Sequence, residues 1–193
     1  MKRFAEFIKP FVSIILGALL FLYFLNWLSL KEGALAIGII ATVLAVYYLT
    51  VGILGVLLGE KMPNKLRKSF DIASIVSFPI FMFTYFLIMV IANAKVMGPT
   101  GWVIAILSMV VSVSLGCIYL VSKLVNNKLL TRFSYLFAAV FTLVLLVDIV
   151  FDQLGNPIVL GNIDIIRVAI YVTYTYMLFI SLKNNSGEEK VSE

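Results

Sequence analysis

The sequence predicts an all-α integral membrane protein of about six transmembrane helices arranged as three hairpins, and three observations carry that expectation. The chain of 193 residues is 62% hydrophobic, has a mean hydropathy of +1.09 and is only 13% charged, where soluble domains usually carry about 25% charged residues. Too few polar groups remain to coat a water-soluble surface, so lipid is the expected outer solvent. Apolar stretches of the length needed to cross a bilayer recur along the chain, and basic residues collect in every second connection between them.

A helix needs about 20 residues to cross about 30 Å of hydrocarbon. Six segments meet that length, at about 10–30, 34–58, 72–92, 102–122, 133–151 and 162–182. Before the first lies Met1-Lys2-Arg3, which imitates the start of a signal peptide. The apolar stretch 11–30 is longer than a signal core and ends in no small-x-small site, so it reads as a retained span. Acids interrupt the outer ends of the fifth and sixth segments. The spans fill 1–183, and the polar remainder, 184–193, reads as a mobile cytoplasmic tail.

Charge placement orients the spans. One side carries Lys2, Arg3 and Lys9, then Lys61, Lys65, Arg67 and Lys68, then Lys123, Lys128 and Arg132, then Lys183 and Lys190. Loops on the other side carry only Lys31 and Lys95. By the positive-inside rule the first set is cytoplasmic, which puts both termini on the cytoplasmic side of a cell membrane. Trp27 and Trp102, with Asn26, fall at the expected outer boundaries, where an indole keeps its ring in the interface and its N–H in water. The surplus of 15 basic over 10 acidic residues follows from this topology, and no nucleic-acid partner is expected.

Within the second span Ala34, Gly38, Ala41, Ala45, Tyr48, Gly52, Gly55 and Gly59 recur at alternating intervals of four and three. All but Tyr48 are small, which makes a heptad-spaced seam along which two helix backbones can approach. It serves either packing within the chain or docking of another membrane subunit. Gly101, Ala105, Ser108, Ser112 and Gly116 repeat the pattern in span four, so spans two and four are expected to be central and in contact. Gly33, Gly101 and Gly161 each start the second helix of a hairpin, and Tyr47, Tyr48, Tyr119, Tyr174 and Tyr176 lie in the later halves of those helices. An internal repeat of hairpins would produce this pattern, as would ordinary loop and interface preferences.

Ionisable groups inside a span each need a partner, water or an interface, because an unpaired charge costs about 2.5–3.5 kcal/mol at the bilayer centre on insertion scales. Asp148 and Asp152 share a face near the outer end of span five, and Asp164 and Arg167 share one at the outer end of span six. The connecting loop contains Gly155, Asn156 and Pro157 and can bring all four side chains together. Three readings stand: a salt-bridge network tying the hairpin, a shallow site for a cation or cationic solute, or a carboxylate pair for hydrolysis. Tyr171 and Tyr174 continue the stripe of Asp164 and Arg167 down span six and could line an aromatic pocket.

Span three starts at Asp71, which reads as an acid at a helix N-terminus near Lys68. Pro79 removes a backbone donor and should kink it, beside Ser74, Ser77 and Thr84, where a polar cavity could form. Back-bonding of the hydroxyls to their own helix is the simpler expectation. The basic loop 61–68 suits anionic lipid or an acidic surface.

The chain has no histidine, and Cys117 is its only cysteine. Thiolate zinc sites, haem and iron–sulfur clusters need more ligands, so no cofactor or metal is expected. Histidine general-base chemistry is excluded, and an intramembrane enzyme has only the acids to work with. About 190 residues, six spans and both ends inside resemble, in outline, the substrate-binding subunits of energy-coupling-factor vitamin transporters; no residue motif accompanies the outline, and no site is carried over. What the resemblance implies is a small-solute binding or transport subunit. The competing expectation is a non-catalytic accessory protein that packs against other membrane subunits. A solute-binding role requires a polar or aromatic cavity reaching span three or six, whereas an accessory role requires a filled bundle with an exposed small-residue seam.

Overall fold

The computed structural model describes residues 2–28, 35–93, 98–125, 127–155 and 162–187, with side chains described for most of them. Six helices account for nearly all of it: α1 (Lys2–Leu28), α2 (Leu35–Leu58), α3 (Asn64–Asn93), α4 (Pro99–Val125), α5 (Lys128–Gly155) and α6 (Asn162–Gly187). Five are long and apolar enough to cross a membrane, and in α1 the apolar stretch among the described residues is Phe7–Tyr23. Gly33, Gly161, Lys31, Lys95 and the loop 156–161 lie outside the described residues, as do residues 188–193 and the side chains of Asn26, Trp27, Asp152 and Asp164.

Helix ends overrun the apolar segments. α3 begins at Asn64, well before its apolar stretch, and α6 continues to Gly187 through the first residues of the polar tail. Hydropathy marks what sits in hydrocarbon, whereas helical hydrogen bonding continues into the interface until something stops it. Between α2 and α3 the stop is Gly59, at φ +47° and opening a 3₁₀ turn, Gly59–Lys61. That left-handed backbone suits glycine. Gly59 therefore ends the small-residue series as a helix terminus, with no neighbour within 4 Å of where its Cβ would be.

The substantial helix contacts are α1 with α2 and α6, α3 with α2, α4 and α6, and α5 with α4 and α6. These seven pairings describe two rows of three, α2-α3-α4 over α1-α6-α5. The middle positions belong to α3 and α6, half of whose apolar spans is buried, against 28–39% for α2, α4 and α5. This corrects the expectation that spans two and four are central and in contact. α4 packs on α3 and α5, and its Ala105, Ser108, Ser112 and Gly116 are buried, with Val76 of α3 the nearest group to Gly116. Nor do the three hairpins pack alike: α1 and α2 share by far the largest contact and α5 and α6 a small one.

The α1–α2 contact is close because the facing residues are small. Gly52 and Gly55 of α2 lie against Pro10 and Ile14 of α1, and Gly17 of α1 lies against Ala45 and Leu49 of α2. Ser13 also donates to the Tyr48 carbonyl at 2.8 Å. The seam of Gly38, Ala41, Ala45, Gly52 and Gly55 thus includes residues already covered from within the chain. Large apolar side chains point outward around the bundle, among them Leu35, Val43, Ile91, Val103, Leu124, Leu143 and Val172. An apolar surface this continuous exceeds what water tolerates on a monomer and suits lipid.

α3 and α6 are joined through the proline. Pro79 has no N–H, so the Ile75 carbonyl one turn earlier loses its helical donor. The Tyr174 hydroxyl of α6 donates to that carbonyl at 3.2 Å, while its ring stacks on Phe78 with centroids 3.9 Å apart. From the other side Tyr48 donates to the Ser74 carbonyl at 3.2 Å and shares a hydrogen bond with Ser77, and Tyr47 donates to the Phe70 carbonyl at 3.1 Å. Thr84 back-bonds to Ile80 at 3.0 Å. Tyr174→Phe is expected to cost about 1–2 kcal/mol, because it strands a buried carbonyl. In a Pro79→Ala background the residue at 79 supplies its own N–H, and the cost should shrink. Unfolding of the three variants and the parent protein in detergent checks this, and equal costs in both backgrounds would remove the proline from the explanation.

Candidate functional site

A cavity of about 440 Å³ opens where the start of α1, the end of α2, the start of α3 and the later half of α6 meet. The basic connections of the chain gather at this end, so we call it the basic end. Phe7, Phe11, Val51, Val56, Met62, Phe70 and Met177 form apolar walls, and Lys9, Ser13, Arg67, Asp71 and Ser74 supply the polar lining.

Each polar group is held by its own element. Lys9 precedes Pro10 on α1 and forms an ion pair with Asp71 of α3, the two side chains being 15% and 8% exposed. In so dry a setting the charges hold each other strongly, since their attraction is little screened. Arg67, one helical turn before Asp71, donates from Nη2 to the Gly59 carbonyl at 3.2 Å, which ties α3 to the end of α2. Ser74 shares a hydrogen bond of 3.2 Å with the Tyr47 hydroxyl. Among the described residues the cavity wall thus holds two cations and one acid, each bonded to a neighbouring helix.

The sequence pointed elsewhere, to the opposite end. There Asp148 of α5 accepts a hydrogen bond from Tyr171 of α6 at 2.8 Å, and the Arg167 guanidinium lies 3.8 Å from the same carboxylate oxygen. Arg167 also donates to the Tyr85 hydroxyl of α3 at 3.5 Å. Asp148, Arg167 and Tyr171 are thus brought together, with Tyr85 as a fourth member absent from the sequence expectation. The side chains of Asp152 and Asp164 lie outside the described residues. Tyr174 lies deeper, on the Ile75 carbonyl. Around Tyr171 and Tyr174 the rings of Phe78 and Phe141 pack edge-on or stacked, with centroids 3.9–6.4 Å apart, so these tyrosines meet aromatic neighbours.

The residues the sequence did not single out are Lys9 and Arg67, while Asp71 was read as a helix-terminal acid. The pair joins positions far apart in the chain, and Lys9 is indistinguishable by position from the other basic residues flanking spans. The available signal was the acid itself: Asp71 sits one residue before a long apolar run, where a carboxylate needs a fixed partner.

The fold defines a class, the multi-pass helical membrane proteins, with an apolar outer surface and with Asp71 and Arg167 buried on its two central helices. No family model, curated protein or solved structure matches the chain.

Proposed function

We propose that this protein binds a small solute in the basic-end cavity, as a transport protein or the binding subunit of one. One observation carries the reading: a cavity of about 440 Å³ combines apolar walls with a fixed ion pair and reaches both central helices. Ligand sites have this composition, mostly apolar with a few placed polar groups. Coverage of Gly52 and Gly55 by α1 supports the same choice, since an accessory protein would present its small-residue seam to a partner. In this reading the basic end faces the cytoplasm of a cell membrane, following the positive-inside rule. The Asp148, Arg167, Tyr171 and Tyr85 network then ties α3, α5 and α6 together at the opposite end of the bundle.

The test is thermal unfolding of the protein in a non-ionic detergent against anionic, zwitterionic and cationic small amphiphiles. A ligand at about 100 times its Kd should add about 2.7 kcal/mol of stability. Val56→Trp places a large ring at the cavity rim, where Val56 is exposed, and should abolish the shift while leaving the unliganded protein folded. If no compound of any charge stabilises the folded protein, solute binding at this cavity is rejected in favour of an accessory role.

A further inference from the structure

We infer that the cavity selects an anionic amphiphile, a single carboxylate or phosphate head on an apolar tail, with Arg67 as the head-group ligand. The inference rests on the solute-binding reading and adds the ligand's chemistry. Among the described residues three charged side chains line the cavity, Lys9, Arg67 and Asp71. Lys9 and Asp71 neutralise each other across α1 and α3, so among these three one positive charge remains, that of Arg67. A guanidinium carries five N–H donors in a planar fork, and the Gly59 carbonyl takes only its Nη2 amino group among the hydrogen bonds described. That hydrogen bond tethers one arm of the fork at the cavity wall, and a planar fork of donors is the group that recognises a carboxylate or phosphate. A cationic ligand would meet that charge directly, and Lys65, exposed on the first turn of α3, adds to the repulsion.

The tail follows from the walls. Phe7 and Phe11, at 68% and 45% exposed, line the cavity and also belong to the outer surface of α1. The apolar lining is therefore continuous with the lipid-facing side, and an acyl or aromatic tail can lie along it while the head reaches Arg67. The same head group could belong to a free solute or to an anionic phospholipid of the bilayer.

The probes are decyl phosphate, decanoate, decanol and decyltrimethylammonium, titrated by thermal shift and isothermal calorimetry against the full chain in phosphatidylcholine nanodiscs. Decyl phosphate and decanoate should bind, and decanol and the ammonium should bind at least tenfold more weakly. Arg67→Gln should weaken the two anions by about tenfold to a hundredfold, as loss of a charged hydrogen bond does, with Arg67→Lys intermediate. Lys65→Gln, outside the cavity, should leave them within about twofold. Equal losses in the Arg67 and Lys65 variants would reduce the effect to a general surface field and overturn the assignment. Tighter binding of the ammonium would overturn the ligand class but keep solute binding, whereas silence from all four probes would reject both readings. Competition by added phosphatidylglycerol identifies the lipid as the source of the head group; its failure to compete identifies a free solute, and either supports the anionic site.

Discussion

Asp71→Asn is expected to destabilise the protein by about 3–5 kcal/mol, the loss seen when one member of a buried ion pair is removed. The Lys9 ammonium would then keep its charge beside a neutral amide in a site where its side chain is only 15% exposed. Lys9→Met should cost nearly as much, for the mirror reason. The double variant Lys9→Met/Asp71→Leu should recover most of the loss, because two apolar groups can replace a buried pair without a stranded charge. A double-mutant cycle from denaturant unfolding measures this directly. Single losses below about 1 kcal/mol would mean that water screens the pair as it does at a surface. A cavity wall held by this pair would then need another support.

The pair also marks what a single sequence reveals. Spans were legible because hydropathy reports the solvent around a helix, and lipid leaves a strong imprint on composition. Packing order was not legible from small residues. Gly52, Gly55 and Gly17 indicate where two backbones touch, and they touch at an outer pair, α1 with α2. The better marker of central position was buried charge, since Asp71 of α3 and Arg167 of α6 are the charged residues among the buried ones described, while the three buried serines of α4 accompany an outer position. α3 carries Asp71, Ser74 and Ser77, α6 carries Arg167, Tyr171 and Tyr174, and such groups need partners on several sides when lipid offers none. Middle positions supply them: Tyr47 and Tyr48 reach α3 from α2, Tyr174 reaches it from α6, and Asp148 and Tyr85 approach Arg167 from α5 and α3.

The two ends differed in legibility for a geometric reason. Asp148 and Arg167 belong to consecutive helices joined by a short loop, so their proximity could be read from hairpin topology. Lys9 and Asp71 belong to the first and third helices, whose adjacency depends on how the whole array closes. Pro79 falls between these cases. Its kink is expected from chemistry, but the identity of the group that satisfies Ile75 depends on α6 lying alongside, and Tyr174 reads from sequence only as one of a stripe that could line a pocket.

Close approach of α1 and α2 makes a sharp prediction at glycine. A Cβ at Gly52 would lie 2.5 Å from Ile14 Cγ1, 2.7 Å from the Pro10 carbonyl oxygen and 2.9 Å from the Ile14 nitrogen. Two of those atoms are backbone, so no rotamer change relieves the contact and the helices must separate. Gly52→Ala should therefore cost about 1–3 kcal/mol, the usual range for overpacking, despite the better helix propensity of alanine. Gly116→Ala is the internal control, because its Cβ would meet only Val76 Cγ1 at 3.9 Å, an ordinary contact. It should be neutral or slightly stabilising. Thermal unfolding of the two variants in one detergent separates the effects, and equal behaviour would mean that α1 and α2 are not in close contact there. Separation at Gly52 would also displace Pro10 and with it the neighbouring Lys9 from the cavity wall, so the same variant should weaken binding of whichever amphiphile stabilises the native protein. Loss of stability with unchanged affinity would uncouple the seam from the site.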